Sequence, residues 1–310
     1  MKTILSYVLF EQTGRKFDRS GHDPFDKKPN RYWLNIPFIL AINKYVLKNS
    51  ITRIYMPKNI ESHPLFPLIK EFSENLDNFE IELIDKQYSL TEPSIWRTKA
   101  LWEDNVNFVF FKDIDSIITR KEVQSMLFFM NSGFLMHNIR SIRQHNGEGT
   151  SLMAGLSGYN IPKLKEELPM PPSFENYLKF YENTIGNPAW GCDQETLINF
   201  FIRTRTIRTT KKIMDTYIQG KGSRLGRVLP NRHHPVTSYN ESMFSKINIP
   251  GVDNNIISLL DTISNWAGQP VNVSGPKTYH ILKKIPDKQA AIIFNILNKS
   301  TIYKKLFLLN

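Results

Sequence analysis

Two aspartates separated by one residue, Asp113 and Asp115, follow an apolar run over residues 106–111 in the stretch Phe110-Phe111-Lys112-Asp113-Ile114-Asp115-Ser116. Two carboxylates beside a buried segment are costly unless they are paired or bound to a cation. A hard divalent ion takes oxygen ligands and often completes its shell with substrate phosphates, so the pair is a candidate site for Mn²⁺ or Mg²⁺ beside a phosphorylated ligand. The competing account is a strand end capped by solvated turn aspartates. The chain has 13 aspartates, enough for an Asp-x-Asp to arise by chance roughly half a time, so the weight lies in its position rather than in the triplet.

The elements that must position this pair are readable around it. Residues 106–111 are almost all apolar, as in a strand buried on both faces. Upstream, residues 4–10 read as a strand, 32–47 as a helix and 51–56 as a strand. Leu65, Phe66, Leu68, Ile69, Phe72 and Leu76 recur at helical spacing, with Pro64 and Pro67 near the start, where proline is tolerated. Phe79, Ile81 and Leu83 alternate with Glu80 and Glu82, as in a strand with one polar face. Another helix is expected over residues 94–102. Such alternation implies a mostly parallel sheet covered by helices, whose ligands bind beyond the carboxyl ends of the strands. The polar segment 12–31, with Gly14, Gly21, Pro24 and Pro29, reads as a long loop of the kind that often carries function. Farther on, Val123, Met126, Leu127 and Met130 form a helical core stripe, and residues 195–201 carry another helix. Residues 220–240 read as a loop, and 290–309 as a helical tail with lysines among Ile, Leu and Phe.

With 41% hydrophobic and 22% charged residues over 310 positions, the chain can bury a sizeable core without disulfides or structural metals. The single cysteine, Cys192, excludes an intrachain disulfide and reads as a buried bystander. The net charge of +11 favours an anionic partner without choosing among nucleic acid, anionic lipid and phosphorylated small molecules. The apolar start is short, contains Ser6 and ends at Glu11, so a first strand is expected there rather than a signal peptide. A cytoplasmic protein, soluble or peripheral to a membrane, is expected.

Over residues 4–200 the chain resembles glycosyltransferases of the GT-A fold, whose shared mark is an Asp-x-Asp after a hydrophobic strand. Several pieces resemble a polysaccharide- and glycan-building group in particular, in the expected order. Ser6-Tyr7-Val8-Leu9-Phe10 is similar to its first strand and nucleotide loop, and Trp96-Arg97 to its Arg-bearing helix. Arg120-Lys121-Glu122 is similar to the helix start after the metal motif. His137-Asn138-Ile139-Arg140, His145 and Met153-Ala154-Gly155-Leu156-Ser157-Gly158 resemble a pattern ending in a Gly-rich segment below the sugar. Asp193-Gln194-Glu195-Thr196-Leu197 resembles an Asp-Gln pair opening a later helix. The chain departs from the group at Ser141, where an acid is frequent, and at Ser157, where a tryptophan is common.

The resemblance implies an α/β, Rossmann-like GT-A fold: a mixed, mostly parallel central sheet flanked by helices, with a helical C-terminal extension. Residues 1–250 would form the transferase domain, with 1–118 as the nucleotide-sugar half and 119–250 as the acceptor half, and 251–310 would pack on it. Asp113 and Asp115 would hold the metal, with Phe10, Arg97 and Gly155 lining the donor site and Arg97 offering a bidentate hold on nucleotide or phosphate. Asp193 and Gln194 would lie nearest the reacting carbon, Asp193 as the base in an inverting enzyme. Asp193 is equally suited to cap its helix, and Arg97 to be a surface cation. Trp190-Gly191 would offer a stacking face to the acceptor. His233, His234 and His280 are weaker candidates for a further metal ligand, and Lys221, Arg224 and Arg227 for a basic lid. The implied partners are a nucleotide-diphosphate sugar and a glycan or other hydroxyl acceptor, without nucleic acid.

Two other classes compete. A metal-dependent nuclease or nucleotidyltransferase would use the positive charge and paired aspartates, but basic residues are scattered and no nucleic-acid module is recognisable. A non-catalytic, glycan-binding GT-A-like domain would not require both Asp113 and Asp115.

Overall fold

The computed structural model describes residues 2–10, 31–88, 92–140, 152–184, 192–203, 213–217, 236–240, 243–263 and 276–308. The first strand, β1 (Thr3–Val8), is buried along its whole length and lies between two parallel neighbours, β2 (Ser50–Pro57) and β4 (Phe108–Lys112). Burial on both faces explains why β1 and β4 read as nearly continuous apolar runs. The third strand, β3 (Phe79–Ile84), is parallel to β2 and forms one edge. Beyond β4 come β5 (Met136–Arg140), β6 (Leu156–Asn160), β7 (Ile213–Tyr217) and β8 (Val236–Asn240), giving the order β3-β2-β1-β4-β6-β5-β7-β8. Among the described strands only β6 is reversed, antiparallel to both β4 and β5. This is the mixed, mostly parallel α/β sheet expected. The strand order changes direction between β1 and β4, which puts a crevice beyond their carboxyl ends.

Helix α1 (Arg31–Val46) is apolar on nearly every side, with Trp33, Leu34, Ile36, Phe38, Ile39 and Ile42 buried, and so must be covered on both sides. The same core takes in α2 (Phe66–Asn75), α3 (Arg120–Ser132) and the C-terminal helix α9 (Lys288–Lys299), through Ile69, Phe72, Val123, Met126, Ile293 and Leu297. Helix α3 starts on a capping box, Thr119 with Glu122, and ends on Gly133 at a φ of 75°. The remaining helices are α4 (Ile161–Glu167), α5 (Phe174–Thr184), α6 (Cys192–Ile198), α7 (Asn254–Leu260), α8 (Pro276–Lys284) and α10 (Thr301–Leu308). The tail breaks at Ser300, between α9 and α10.

Three local expectations need correction. Residues 236–240, read as loop, form β8. The helix expected over 94–102 is a 3₁₀ helix, Glu92–Trp102, in which the Thr98 hydroxyl bonds the Ile95 carbonyl at 2.7 Å, a local contact compatible with tight winding. Residues 136–140, 156–160 and 213–217, for which the sequence predicts no strand, form β5, β6 and β7. No helix among the described residues is long and apolar enough to cross a membrane.

Candidate functional site

The site is built at the carboxyl end of β4. Past Lys112 the chain turns, with the Ser116 amide and hydroxyl donating to the Asp113 carbonyl at 3.1 and 2.9 Å. Lys112 points inward, where its ammonium pairs with Glu122 of α3, and Glu122 accepts the Thr119 amide through its other oxygen at 2.9 Å. Both members of that ion pair are buried, so the strand end is tied to the start of α3 while Asp113 is left beside the crevice.

Arg97 approaches from the 3₁₀ helix beside β1, where its carbonyl accepts the Ser6 hydroxyl at 2.7 Å. Its side chain is buried, with Arg97 only 5% exposed. Nη1 donates to Asp113 Oδ1 at 2.7 Å and to the Lys112 carbonyl at 3.1 Å, while Nη2 donates to Asp193 Oδ2. Burial works against the guanidinium's charge, but the carboxylates of Asp113 and Asp193 outweigh it and hold the pKa above the ordinary arginine value. One buried cation thus joins two carboxylates from distant parts of the chain.

Gly155 completes the corner. The β4–β6 register pairs Lys112 with Leu156, so one step further Asp113 meets Gly155. A Cβ at Gly155 would lie 2.1 Å from Asp113 Oδ2, well inside contact distance. A residue without a side chain is therefore required for Asp113 to keep this pose.

The arrangement brings together Arg97, Asp113, Gly155 and Asp193, residues singled out from separate stretches of sequence. Asp193 lies in the first turn of α6, one place inside the helix rather than at its cap, with its side chain 11% exposed. An acid there is also favoured by the helix dipole. Gln194 follows it, half-buried. Phe10, just beyond β1, packs on a cluster containing Val8, Tyr55, Ile95 and Trp96. Asp115 is buried, two residues beyond Asp113. His137 is not at this corner but inside the sheet, and His280 is exposed on α8. His145, Trp190, Gly191, Lys221, Arg224, Arg227, His233 and His234 lie outside the described residues. The sequence places Ser6 in the first strand but not its contact with Arg97, and it does not show the Lys112–Glu122 pair, although the Thr119-x-x-Glu122 capping pattern is a readable signal for the latter.

Asp113 and Asp193 carry two negative charges against the one positive charge of Arg97, and Asp115 adds a third carboxylate on the same turn. The Asp113 side chain remains 45% exposed. Among the described residues no three His, Cys, Asp or Glu side chains group closely enough to cage a metal. Among the described residues the donor set would fit a divalent ion as a shared site, one or two carboxylates with the remaining ligands from water and phosphate oxygens, as Mg²⁺ commonly has.

No protein-family model matches the chain, and no curated protein matches it. Among solved structures, it is similar to 4-diphosphocytidyl-2C-methyl-D-erythritol synthase from Anaerococcus prevotii, with a TM-score of 0.39 and 10% identity over 74% of this chain and 91% of that one.

Proposed function

We propose that the chain is a metal-dependent glycosyltransferase that moves a sugar from a nucleotide-diphosphate donor to a glycan or other hydroxyl acceptor. The observation that supports this most is the Asp113–Arg97–Asp193 bridge at the carboxyl end of β4, closed by Gly155. It joins the proposed donor side, at Asp113, to the proposed acceptor side, at Asp193.

In this reading Asp113 and Asp115 hold Mn²⁺ or Mg²⁺, which when bound would neutralise charge on the departing diphosphate. Arg97 works through the carboxylates: both of its terminal nitrogens are engaged by protein oxygens, so it sets their distance and orientation. Asp193 takes the proton of the attacking hydroxyl if configuration is inverted, and faces the sugar without acting as a base if it is retained. Gln194 and Phe10 flank the acceptor and the nucleotide respectively.

The test is a screen of nucleotide-sugars for Mn²⁺-dependent hydrolysis and thermal stabilisation, with Asp115→Asn and Asp193→Asn as controls. Asp115→Asn is expected to abolish metal-dependent donor binding. Asp193→Asn is expected to lower turnover by about 10²–10⁴-fold with little change in donor affinity. Full activity of Asp115→Asn in excess Mn²⁺, or stabilisation by single-stranded nucleic acid and by no nucleotide-sugar, would overturn the proposal.

A further inference from the structure

The proposed metal ligand Asp113 already has a cation beside it. Its Oδ1 accepts Arg97 Nη1 at 2.7 Å, and its Oδ2 lies where a side chain at Gly155 would be. The Asp113 side chain is still 45% exposed, so the carboxylate has an open side. A divalent ion taken up there would share Asp113 with the guanidinium.

Arg97 is held in that position. Its side chain is only 6% exposed, and Nη1 also donates to the Lys112 carbonyl at 3.1 Å, while Nη2 donates to Asp193. Nε is buried without an acceptor, so among the described residues Asp113 and Asp193 alone answer the guanidinium's charge. Letting Asp113 go would leave a buried cation short of a partner, which is costly. Arginine also keeps its charge at any working pH, so this cation is a permanent part of the site.

The consequence is a weak hold on a free metal ion. Arg97 takes up part of the negative charge of Asp113 and repels a second cation at short range. Asp115 is buried, and among the described residues no group of three His, Cys, Asp or Glu side chains stands there to outweigh the repulsion. A diphosphate reverses the balance. Its oxygens add negative charge and fill the ion's shell, and Mg²⁺ is commonly held by one or two carboxylates together with substrate phosphates. We infer that Arg97 makes metal binding conditional on the donor, so that the site passes over the free ion and takes ion and diphosphate together as one chelate. This rests on the glycosyltransferase reading above, and adds to it the species that enters and the residue that selects it.

Isothermal titration of the full chain tests this without turnover. The titrants are Mn²⁺ alone, then UDP, GDP, CDP and ADP, each without metal and as its preformed Mn²⁺ chelate. The wild type is expected to bind one chelate at least about tenfold more tightly than either free Mn²⁺ or the same nucleotide without metal. Arg97→Gln removes the charge, and its affinity for free Mn²⁺ should rise at least about tenfold, whereas Arg97→Lys should stay within about threefold of wild type. The gain should vanish in Arg97→Gln/Asp113→Asn. Arg97→Gln leaves two carboxylates unpaired, so it should melt lower than wild type and regain stability when Mn²⁺ is added, because a ligand of the folded state stabilises it. An Arg97→Gln chain that binds free Mn²⁺ no better than wild type, or that Mn²⁺ does not stabilise, would overturn the role of Arg97, while chelate binding by the wild type would keep the metal reading intact. Free Mn²⁺ binding to the wild type as tightly as every chelate would overturn the conditional binding. If the wild type binds neither Mn²⁺ nor any chelate, the glycosyltransferase reading itself fails and takes this inference with it.

Discussion

Arg97 and Asp193 lie 96 residues apart in sequence, yet the guanidinium donates directly to the Asp193 carboxylate while its other terminal nitrogen holds Asp113. Two members of this bridge are constrained from behind, Arg97 by the Ser6 contact and Asp113 by the turn that follows the Lys112–Glu122 pair. The arginine thereby couples the end of β4 to the first turn of α6.

Arg97→Lys keeps the charge but removes the planar fork that reaches two acceptors at once. One carboxylate is then left without its partner in a largely buried setting, and breaking a buried pair costs about 3–5 kcal/mol. Asp113 is nearly half exposed, so most of that loss falls on the Asp193 side. The variant should show a lower denaturant midpoint and at least a tenfold loss of any activity found in the donor screen. Wild-type stability and turnover in Arg97→Lys would mean that a single ammonium contact suffices.

Gly155→Ala separates site geometry from stability. The backbone there has no left-handed strain, and the three atoms nearest the added methyl all belong to Asp113. The carboxylate must move by about an ångström, away from the position that Arg97 holds. Misplacement on that scale costs about 10²-fold in a positioned reaction. The expected outcome is a melting temperature close to wild type with metal-dependent donor binding strongly weakened, read by isothermal titration with and without Mn²⁺. Unaltered binding would show that Asp113 needs no fixed pose.

His137 predicts a pH dependence of stability. Burial, with Lys112 nearby, pushes its pKa down to about 3 from an ordinary 6.5. Nε2 contacts the Ser125 hydroxyl at 2.8 Å and Thr216 at 3.1 Å, whereas Nδ1 has no partner among the described residues. Between pH 6.5 and 3 the unfolded chain binds a proton that the folded one refuses. Stability is therefore full above the unfolded value and falls as pH drops, by about 1.4 kcal/mol per unit. Urea unfolding at pH 7 and pH 5 should show a loss for the wild type about 2 kcal/mol larger than for His137→Gln. Equal losses would mean that the folded protein accommodates the imidazolium.

The same residue explains where the sequence was hard to read. Strands β1, β2 and β4 are legible as largely apolar buried runs, and β3 by the alternation of Phe79, Ile81 and Leu83 with Glu80 and Glu82. Strand β5, Met136-His137-Asn138-Ile139-Arg140, is as deeply buried but mostly polar, so neither an apolar run nor a simple alternation marks it. Several of its polar groups find partners outside the strand: Asn138 Oδ1 accepts the Met153 amide at 2.8 Å, and His137 Nε2 reaches Ser125 and Thr216. Those partners exist only once the fold has formed. Strand β6 is similar, with Gly158 allowing Phe110 to lie where a side chain would be. At the candidate site the residue types were legible, since Arg97, Asp113, Gly155 and Asp193 were all named from sequence. The bridge was not, because nothing in local spacing says that Arg97 turns inward toward carboxylates rather than outward toward phosphate.

The C-terminal tail gives the last prediction. Its mixture of lysine and aliphatic residues is compatible with a basic amphipathic helix lying on an anionic membrane, or with a helix docked on the domain. In the fold, Ala290, Ile293, Ile296 and Leu297 of α9 and Tyr303 of α10 are buried in the core shared with α1, and the Tyr303 hydroxyl donates to the Leu34 carbonyl at 3.3 Å. A fully buried large aliphatic or aromatic side chain contributes about 1.5–3 kcal/mol. Losing Ile293, Ile296, Leu297 and Tyr303 together would remove on the order of 6–12 kcal/mol, comparable to the 5–15 kcal/mol by which a typical domain is stable. It would also expose the apolar outer face of α1. Deletion of residues 290–310 should therefore yield insoluble protein, or protein without a cooperative thermal transition. A truncated chain that stayed soluble and melted like the full-length protein, while losing vesicle binding, would instead mark the tail as a membrane element.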